Sequence, residues 1–477
     1  MIKKIYLLIF IVLSFMISLS SSLQFTINSD AASMFREAID ISKGNILLRG
    51  WTLSTVPFYF TDTIWYATAI SIFGNNQILM WVIPSIFYTG ILTLSAILIF
   101  GRNDNYIGIL ALVLCMILPS KMAAGLTIAM CIHAATIFFA LASLKLVISN
   151  KKVSLLIFFL ISSLCVFSDS IYNYILVLPL ALSLIGMLFI EFNRSHLIKL
   201  LIVCAVLIAG KLISFLSIKY GLLVTPGTEI PRIVAYDKIP GNLDLFFRGI
   251  LEYFDSNIFG KELSLATIPY LLRFLSLILW GVLFIVASKK LFNTNLLNNY
   301  LIAATIIMFC AYLFSNMPVD LETTRYLVSP LITGSILIGR FLPEVRINKS
   351  FIIIFFIVLF INNWKPLSFS IPTGNTAQTA AFLQKEGLGD GYGTFWVASS
   401  VSVVGDSEVA PISIDERGIS KMNWLSSNDW YGRRSRYIIV SDIENINRVL
   451  DFFGKDAKVK NINGIYVIYY DDERIII

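Results

Sequence analysis

The chain has 477 residues, 57% hydrophobic and only 14% charged, with 37 Lys and Arg against 30 Asp and Glu. Mean hydropathy is +0.79. Soluble domains are about a quarter charged, so the composition excludes an ordinary soluble protein and points to an α-helical polytopic membrane protein. The net charge of +7 does not imply a nucleic-acid partner, because the basic residues sit in short blocks between apolar runs, as cytoplasmic loops do.

Met1-Ile2-Lys3-Lys4 is followed by an apolar run to Leu23. A cleaved secretory signal with Ser18–Ser22 as its cleavage region is the alternative, but the many later apolar runs favour an uncleaved signal-anchor. Apolar runs that can cross a hydrocarbon core of ~30 Å predict eleven membrane helices, at 5–23, 78–100, 106–119, 126–148, 153–168, 172–190, 197–219, 268–287, 298–314, 326–341 and 351–363. The runs 106–119 and 351–363 are short for a full crossing and need bilayer thinning or snorkelling neighbours such as Lys349. With the N-terminus inside, Lys3, Lys4, Arg102, Lys145, Lys151, Lys152, Arg194, Lys199, Lys289, Lys290, Arg340, Arg346 and Lys349 fall on the cytoplasmic side. Only Asp104, Glu191 and Glu344 accompany them, as the positive-inside rule expects.

Three outward segments exceed simple turns. Residues 24–77 are predicted to hold a helix at 30–43 stopped by Gly44 and a second at 62–73 stopped by Gly74. In the first, Ala31, Phe35, Ala38 and Ile39 recur at helical spacing while Arg36, Glu37, Asp40 and Lys43 face elsewhere, which predicts a helix lying in the interface plane. Residues 220–267 form a second long loop, with Pro226, Pro231 and Pro240. Residues 365–477 change in kind and read as a soluble α/β domain. A helix capped by Asn375 or Thr376 runs through Glu386 to Gly387; Tyr437–Ser441 reads as a buried strand, and Glu444–Phe453 as a helix ended by Gly454. Val459–Asn461 and Ile465–Tyr470 flank Asn463-Gly464, a hairpin signal. The expected organisation is a transmembrane domain over 1–364, carrying the structured outward loop, and an extracytoplasmic α/β domain over 365–477.

Cys115, Cys131, Cys165, Cys204 and Cys310 all fall in apolar runs without metal or redox spacing, and read as small packing residues. Asp30 lies just beyond the first membrane helix, where a carboxylate can serve as general base; equally, Ser29 or Asp30 can cap the following helix. Asp62 is a second outward carboxylate with the same N-cap alternative. Asp169 sits at the turn Ser168-Asp169-Ser170, where a plain turn aspartate is one reading. Arg325-Tyr326 precedes a span containing Pro330; a guanidinium suits phosphate, and an interfacial anchor is the alternative. Lys211 lies deep in an apolar run, where an ionisable group is a functional candidate by default. His133 reads as a packed histidine bonded to a neighbouring helix, and Lys121, at the outer turn after Pro119, as part of a positive rim with Lys211.

A first span followed by an outward loop reading Ser29-Asp30-Ala31-Ala32 ahead of an amphipathic helix resembles the GT-C superfamily of membrane glycosyltransferases. The branch it resembles includes protein mannosyltransferases and the aminoarabinose transferases of lipid A. Gly44 after the motif, the proline/aromatic segment Pro57–Gly74 and Arg325-Tyr326 before Pro330 carry the rest of the likeness. The resemblance implies a catalytic base at Asp30, an arginine at Arg325 that meets a lipid-linked phosphate, a cavity-lining alternative for Asp169, and a GT-C-like fold with a terminal outward domain. Ala31 stands where the family often has a second acid, so the acidic pair for a divalent metal is incomplete.

The chain shows no Gly-rich phosphate loop and no cytoplasmic domain for a nucleotide sugar. The expected activity is transfer of a sugar from a polyprenyl-phosphate carrier to a glycan, lipid or protein acceptor at the outer face of a bacterial cytoplasmic membrane. Asp30 is the expected base; Arg325, Tyr326, Lys211, Lys121, Asp62, Asp169 and His133 are the expected substrate-binding residues. A transporter or flippase for lipid-linked saccharides, favoured by Lys211 and by the span count, and a non-catalytic assembly factor are the alternatives.

Overall fold

The computed structural model describes residues 2–100, 106–114, 116–129, 132–227, 231–345 and 348–477. Arg102, Asp104, Cys115, Cys131 and Arg346 lie outside them. The chain divides into two compact units. The first comprises Met1–Ser22, Pro84–Ile213 and Glu229–Phe369; the second comprises Leu23–Ile83, Ser214–Thr228 and Ser370–Ile477. The loop expected within the transmembrane domain thus groups with the C-terminal residues.

Among the described residues, seven helical stretches are long and apolar enough to cross a membrane: 5–22, 79–100, 173–190, 194–219, 265–291, 296–314 and 321–344. Three further predicted spans form shorter apolar helices, Ala134–Ile148, Lys152–Ser168 and Ser350–Asn363. The eleventh, 106–119, is not a continuous helix: one α-turn, Tyr106–Ile109, passes into 3-10 geometry over Leu110–Leu114. Ala111, Leu112, Val113 and Leu114 are buried in protein, packed on the helix Val328–Phe341. Close backbone approach holds this arrangement, since a Cβ on Gly339 would lie 2.6 Å from the Gly108 carbonyl. Apolar composition here reflects a protein core, where irregular backbone at membrane depth is tolerated.

The predicted helix 126–148 is also interrupted. It is replaced by Lys121–Thr127 and Ala134–Ile148, with His133 in the left-handed region at φ 67° between them. Ser22 Oγ donates to the Ile128 carbonyl at this break, 3.1 Å, satisfying an acceptor the helix ladder has dropped. The predicted 172–190 helix starts as a π-turn, Asn173–Val177. Pro179 cannot donate to the 175 carbonyl, and the Tyr300 hydroxyl donates to that oxygen instead, 2.8 Å. Tyr300 is fully buried at the core of the first unit, beside Val328–Phe341, whose residues are buried almost all round.

The second unit is built on a six-stranded sheet ordered 418–421, 409–415, 391–394, 437–440, 465–469, 458–462. Its three central strands are parallel, and the outer pairings are antiparallel. The last two strands form the hairpin predicted at Asn463-Gly464, both residues having positive φ, 50° and 91°, as a two-residue type I′ turn requires. The helices Asn375–Lys385 and Phe395–Val404 cover the sheet, burying Leu383, Val401, Tyr437, Ile439 and Val467 in one core. The first of these is capped by Gly374, one residue before the Asn375 expected.

The helix predicted at 30–43 spans Ser29–Ser42 and is capped by Asn28, whose side chain accepts from the Ala31 amide, 2.8 Å. Ser29 and Asp30 are therefore inside the helix and not its cap. Nor does the helix lie in a membrane interface. It is buried on Ala31, Ala32, Phe35, Arg36, Glu37 and Ala38, and packs against Phe395–Val404 and Ile64–Phe73 within the second unit. Its polar face is buried because it finds partners: Ser33 Oγ donates to Ser399 Oγ at 2.9 Å, and Arg36 donates to the Val409 carbonyl at 2.9 Å.

Candidate functional site

Within the first unit, four of the sequence-selected residues come together. Asp169 is 1% exposed at the turn after Lys152–Ser168, and its Oδ2 lies 2.7 Å from His133 Nδ1. Thr136 Oγ1 donates to the same oxygen at 2.6 Å, and the Ile171 amide donates to Oδ1 at 3.1 Å. With three donors converging on it, the Asp169 carboxylate is solvated by protein, and an ionised Asp169 assigns the Nδ1 proton to His133. The spacing explains the placement: the chain reverses into Ala134–Ile148 at His133, and Thr136 follows one turn later on the same face.

The His133 ring lies 5.7 Å, centroid to centroid, from Tyr326. The Arg325 guanidinium is 5.2 Å from the same Tyr326 ring, and its Nη2 donates to the Tyr326 hydroxyl at 3.4 Å. Both residues sit in the 3-10 turn Leu321–Leu327 that feeds Val328–Phe341, a turn started by Asp320, whose Oδ1 accepts from the Thr323 amide at 3.1 Å. Among the described residues Arg325 forms no ion pair, and its Nε is buried without a hydrogen-bond partner. A guanidinium held this way is electrostatically incomplete and suited to a planar oxyanion.

Lys121 and Lys211 are not drawn into this group. Lys121 is exposed at the start of Lys121–Thr127. Lys211 is exposed on Arg194–Lys219, beside the exposed side chains of Ile208, Leu212 and Phe215. These exposed apolar neighbours are those of an outer helix face.

Asp30 and Asp62 belong to the second unit. Asp30 is half-buried in the first turn of Ser29–Ser42, the end at which negative charge is electrostatically favoured. Asp62 is fully buried in a π-turn, Tyr59–Thr63, that follows Phe58 at φ 47°; it does not cap the next helix, which begins at Ile64. Sequence reasoning missed Glu37, expected on a solvated face. It is 2% exposed, accepts from Thr63 Oγ1 at 3.3 Å, and burial pushes its carboxyl up to about 8. Only the two packing neighbours of its helix reveal this.

The second unit also contains a cleft of about 430 Å³ whose lining includes Arg36, Asp40, Trp51, Glu408, Trp430 and Arg433. Arg36 pairs with Glu408 at 2.9 Å and lies 3.4 Å from the Trp430 ring centroid; burial pulls its pKa down to about 10, against the raising effect of Glu408. Trp51 Nε1 donates to Asp40 Oδ2 at 2.8 Å. The wall is thus a rigid set of donors and acceptors fixed by packing. Among the described residues, no group of three or more His, Cys, Asp or Glu side chains gathers as a metal-ion site.

No family model matches the chain. No curated protein matches it. Its structure is similar to the crystal structure of the Archaeoglobus fulgidus oligosaccharyltransferase tethered through a disulfide bond to an acceptor peptide containing the NVT sequon. The identity is 11% and the TM-score 0.47, over 92% of this chain and 69% of that one.

Proposed function

We propose that this chain is a membrane glycosyltransferase that moves a sugar from a polyprenyl-phosphate carrier to an acceptor at the outer face of a bacterial cytoplasmic membrane. The observation that carries the reading is Arg325, a partly buried guanidinium without an ion pair among the described residues, at the head of the apolar helix Val328–Phe341. A cation kept unneutralised at the end of a membrane helix suits an anionic group delivered by a lipid. A carrier phosphate has that chemistry.

In the proposed reaction the acceptor hydroxyl attacks the anomeric carbon of the donor sugar with inversion. The bond from that carbon to the phosphate oxygen breaks, and the lipid phosphate leaves with the electron pair. Asp30 takes the acceptor proton, and Arg325 stabilises the charge that develops on the leaving phosphate. Asp62, like Asp30 an acid of the first outward segment, supports the acceptor side. The cleft lined by Arg36 and Trp430 supports a role for the second unit in selecting the acceptor, because its fixed polar wall matches a hydroxyl-rich ligand.

The test is Asp30→Asn, assayed for sugar transfer from lipid-linked donor in membranes. Loss of a general base predicts a fall of ~100- to 10,000-fold in rate with the protein still folded. Unchanged turnover removes Asp30 from the mechanism. The transporter alternative leaned on Lys211 and on the span count, and the exposed position of Lys211 gives the first of these no support.

A further inference from the structure

We infer that His133 and Asp169 form a second arm of the anion site begun by Arg325, with His133 as its imidazole group and Asp169 as the positioning residue that orients it. The first observation is backbone strain. His133 stands at φ 67°, a left-handed conformation uncommon for any residue other than glycine. Strain at a residue with polar chemistry is a pointer to use.

The second observation is the investment around Asp169. A carboxylate 1% exposed holds His133 Nδ1 at 2.7 Å while Thr136 and the Ile171 amide fix its orientation. A carboxylate bonded to one ring nitrogen sets the tautomer and fixes the direction in which the other nitrogen points. The third observation is location: the imidazole contacts the Tyr326 ring, and Arg325 contacts the same ring. Tyr326 thus neighbours two groups that carry positive charge when the imidazole is protonated. Their shared chemistry is recognition of a phosphate, and the setting on apolar helices selects one attached to a lipid.

The identity of that lipid rests on the transferase reading; the phosphate site does not. The test uses the full chain in lipid nanodiscs, with undecaprenyl phosphate, undecaprenol and inorganic phosphate as probes. The readout is the ratio of affinities for the phosphorylated and neutral lipids. His133→Asn is the informative variant, because asparagine tolerates the left-handed backbone while removing the charge. Losing a charge-assisted bond predicts a fall in the ratio of roughly 10- to 100-fold, with undecaprenol affinity unchanged. Asp169→Asn should act through His133, so the double variant should lose no more than His133→Asn alone.

An unchanged ratio in His133→Asn, or additive losses in the double variant, overturns the inference. Inorganic phosphate binding as tightly as the lipid phosphate overturns its lipid assignment. The two proposals fail separately. A wild-type chain that prefers the lipid phosphate but transfers no sugar ends the transferase reading and leaves this site standing. Sugar transfer with an unchanged donor KM in His133→Asn ends this site and leaves the transferase.

Discussion

Glu37 should make the second unit less stable as pH rises. Its carboxyl is 2% exposed, accepts from the Thr63 hydroxyl, and is pushed by burial from 4.5 to about 8. Over that interval the unfolded chain has released the proton and the folded chain keeps it, so folding binds more protons and stability falls with rising pH. Each pH unit costs ~1.4 kcal/mol, which gives about 5 kcal/mol over the whole interval and about 3 kcal/mol by pH 7. Glu37→Gln preserves shape and still accepts from Thr63, but cannot ionise. Denaturant unfolding in detergent, followed through tryptophan fluorescence, measures the difference between the two proteins. The variant should match wild type near pH 4.5 and gain steadily on it up to about 8. Taking the difference cancels the other titrating groups. A difference that stays flat, or that favours wild type as pH rises, refutes the reasoning.

Two further substitutions probe the packing that holds the second unit together. Arg36→Ala removes the pair with Glu408, the bond to the Val409 carbonyl and the contact with Trp430; because Glu408 is 39% exposed, the loss should be held to ~2–3 kcal/mol of unfolding free energy in the same denaturation assay. Gly391→Ala places a Cβ into the ring of Tyr437, which is fully buried and donates to the Gly389 carbonyl. With no room for the ring to retreat, ~1–3 kcal/mol should be lost, visible as a lower denaturation midpoint with an unchanged slope.

The features legible in the sequence are those set by local chemistry. Apolar runs located the long helices because an unbroken hydrogen-bonded helix is what lipid demands of a spanning chain. Asn463-Gly464 announced its hairpin because both residues accept positive φ, and Gly454, at φ 118°, marks the end of Glu444–Phe453. Arg325-Tyr326, Asp169 and His133 were each visible as polar groups in apolar surroundings, which is costly and therefore informative.

Tertiary structure decided what those groups do for one another. Asp169 and His133 are 36 residues apart, and no periodicity encodes that the turn bearing one meets the interrupted helix bearing the other. Likewise the amphipathic pattern of residues 29–42 carries no sign of whether its polar face meets water or Ser399, Glu408 and Thr63. The run 106–119 is apolar whether lipid or protein surrounds it, and only the packing of Leu110–Leu114 on Val328–Phe341 shows which. Composition fixes how strongly a segment avoids water, because transfer out of water is a property of each residue. Which partner then covers that segment is a property of the whole chain, decided by shape and by hydrogen bonds formed far apart in sequence.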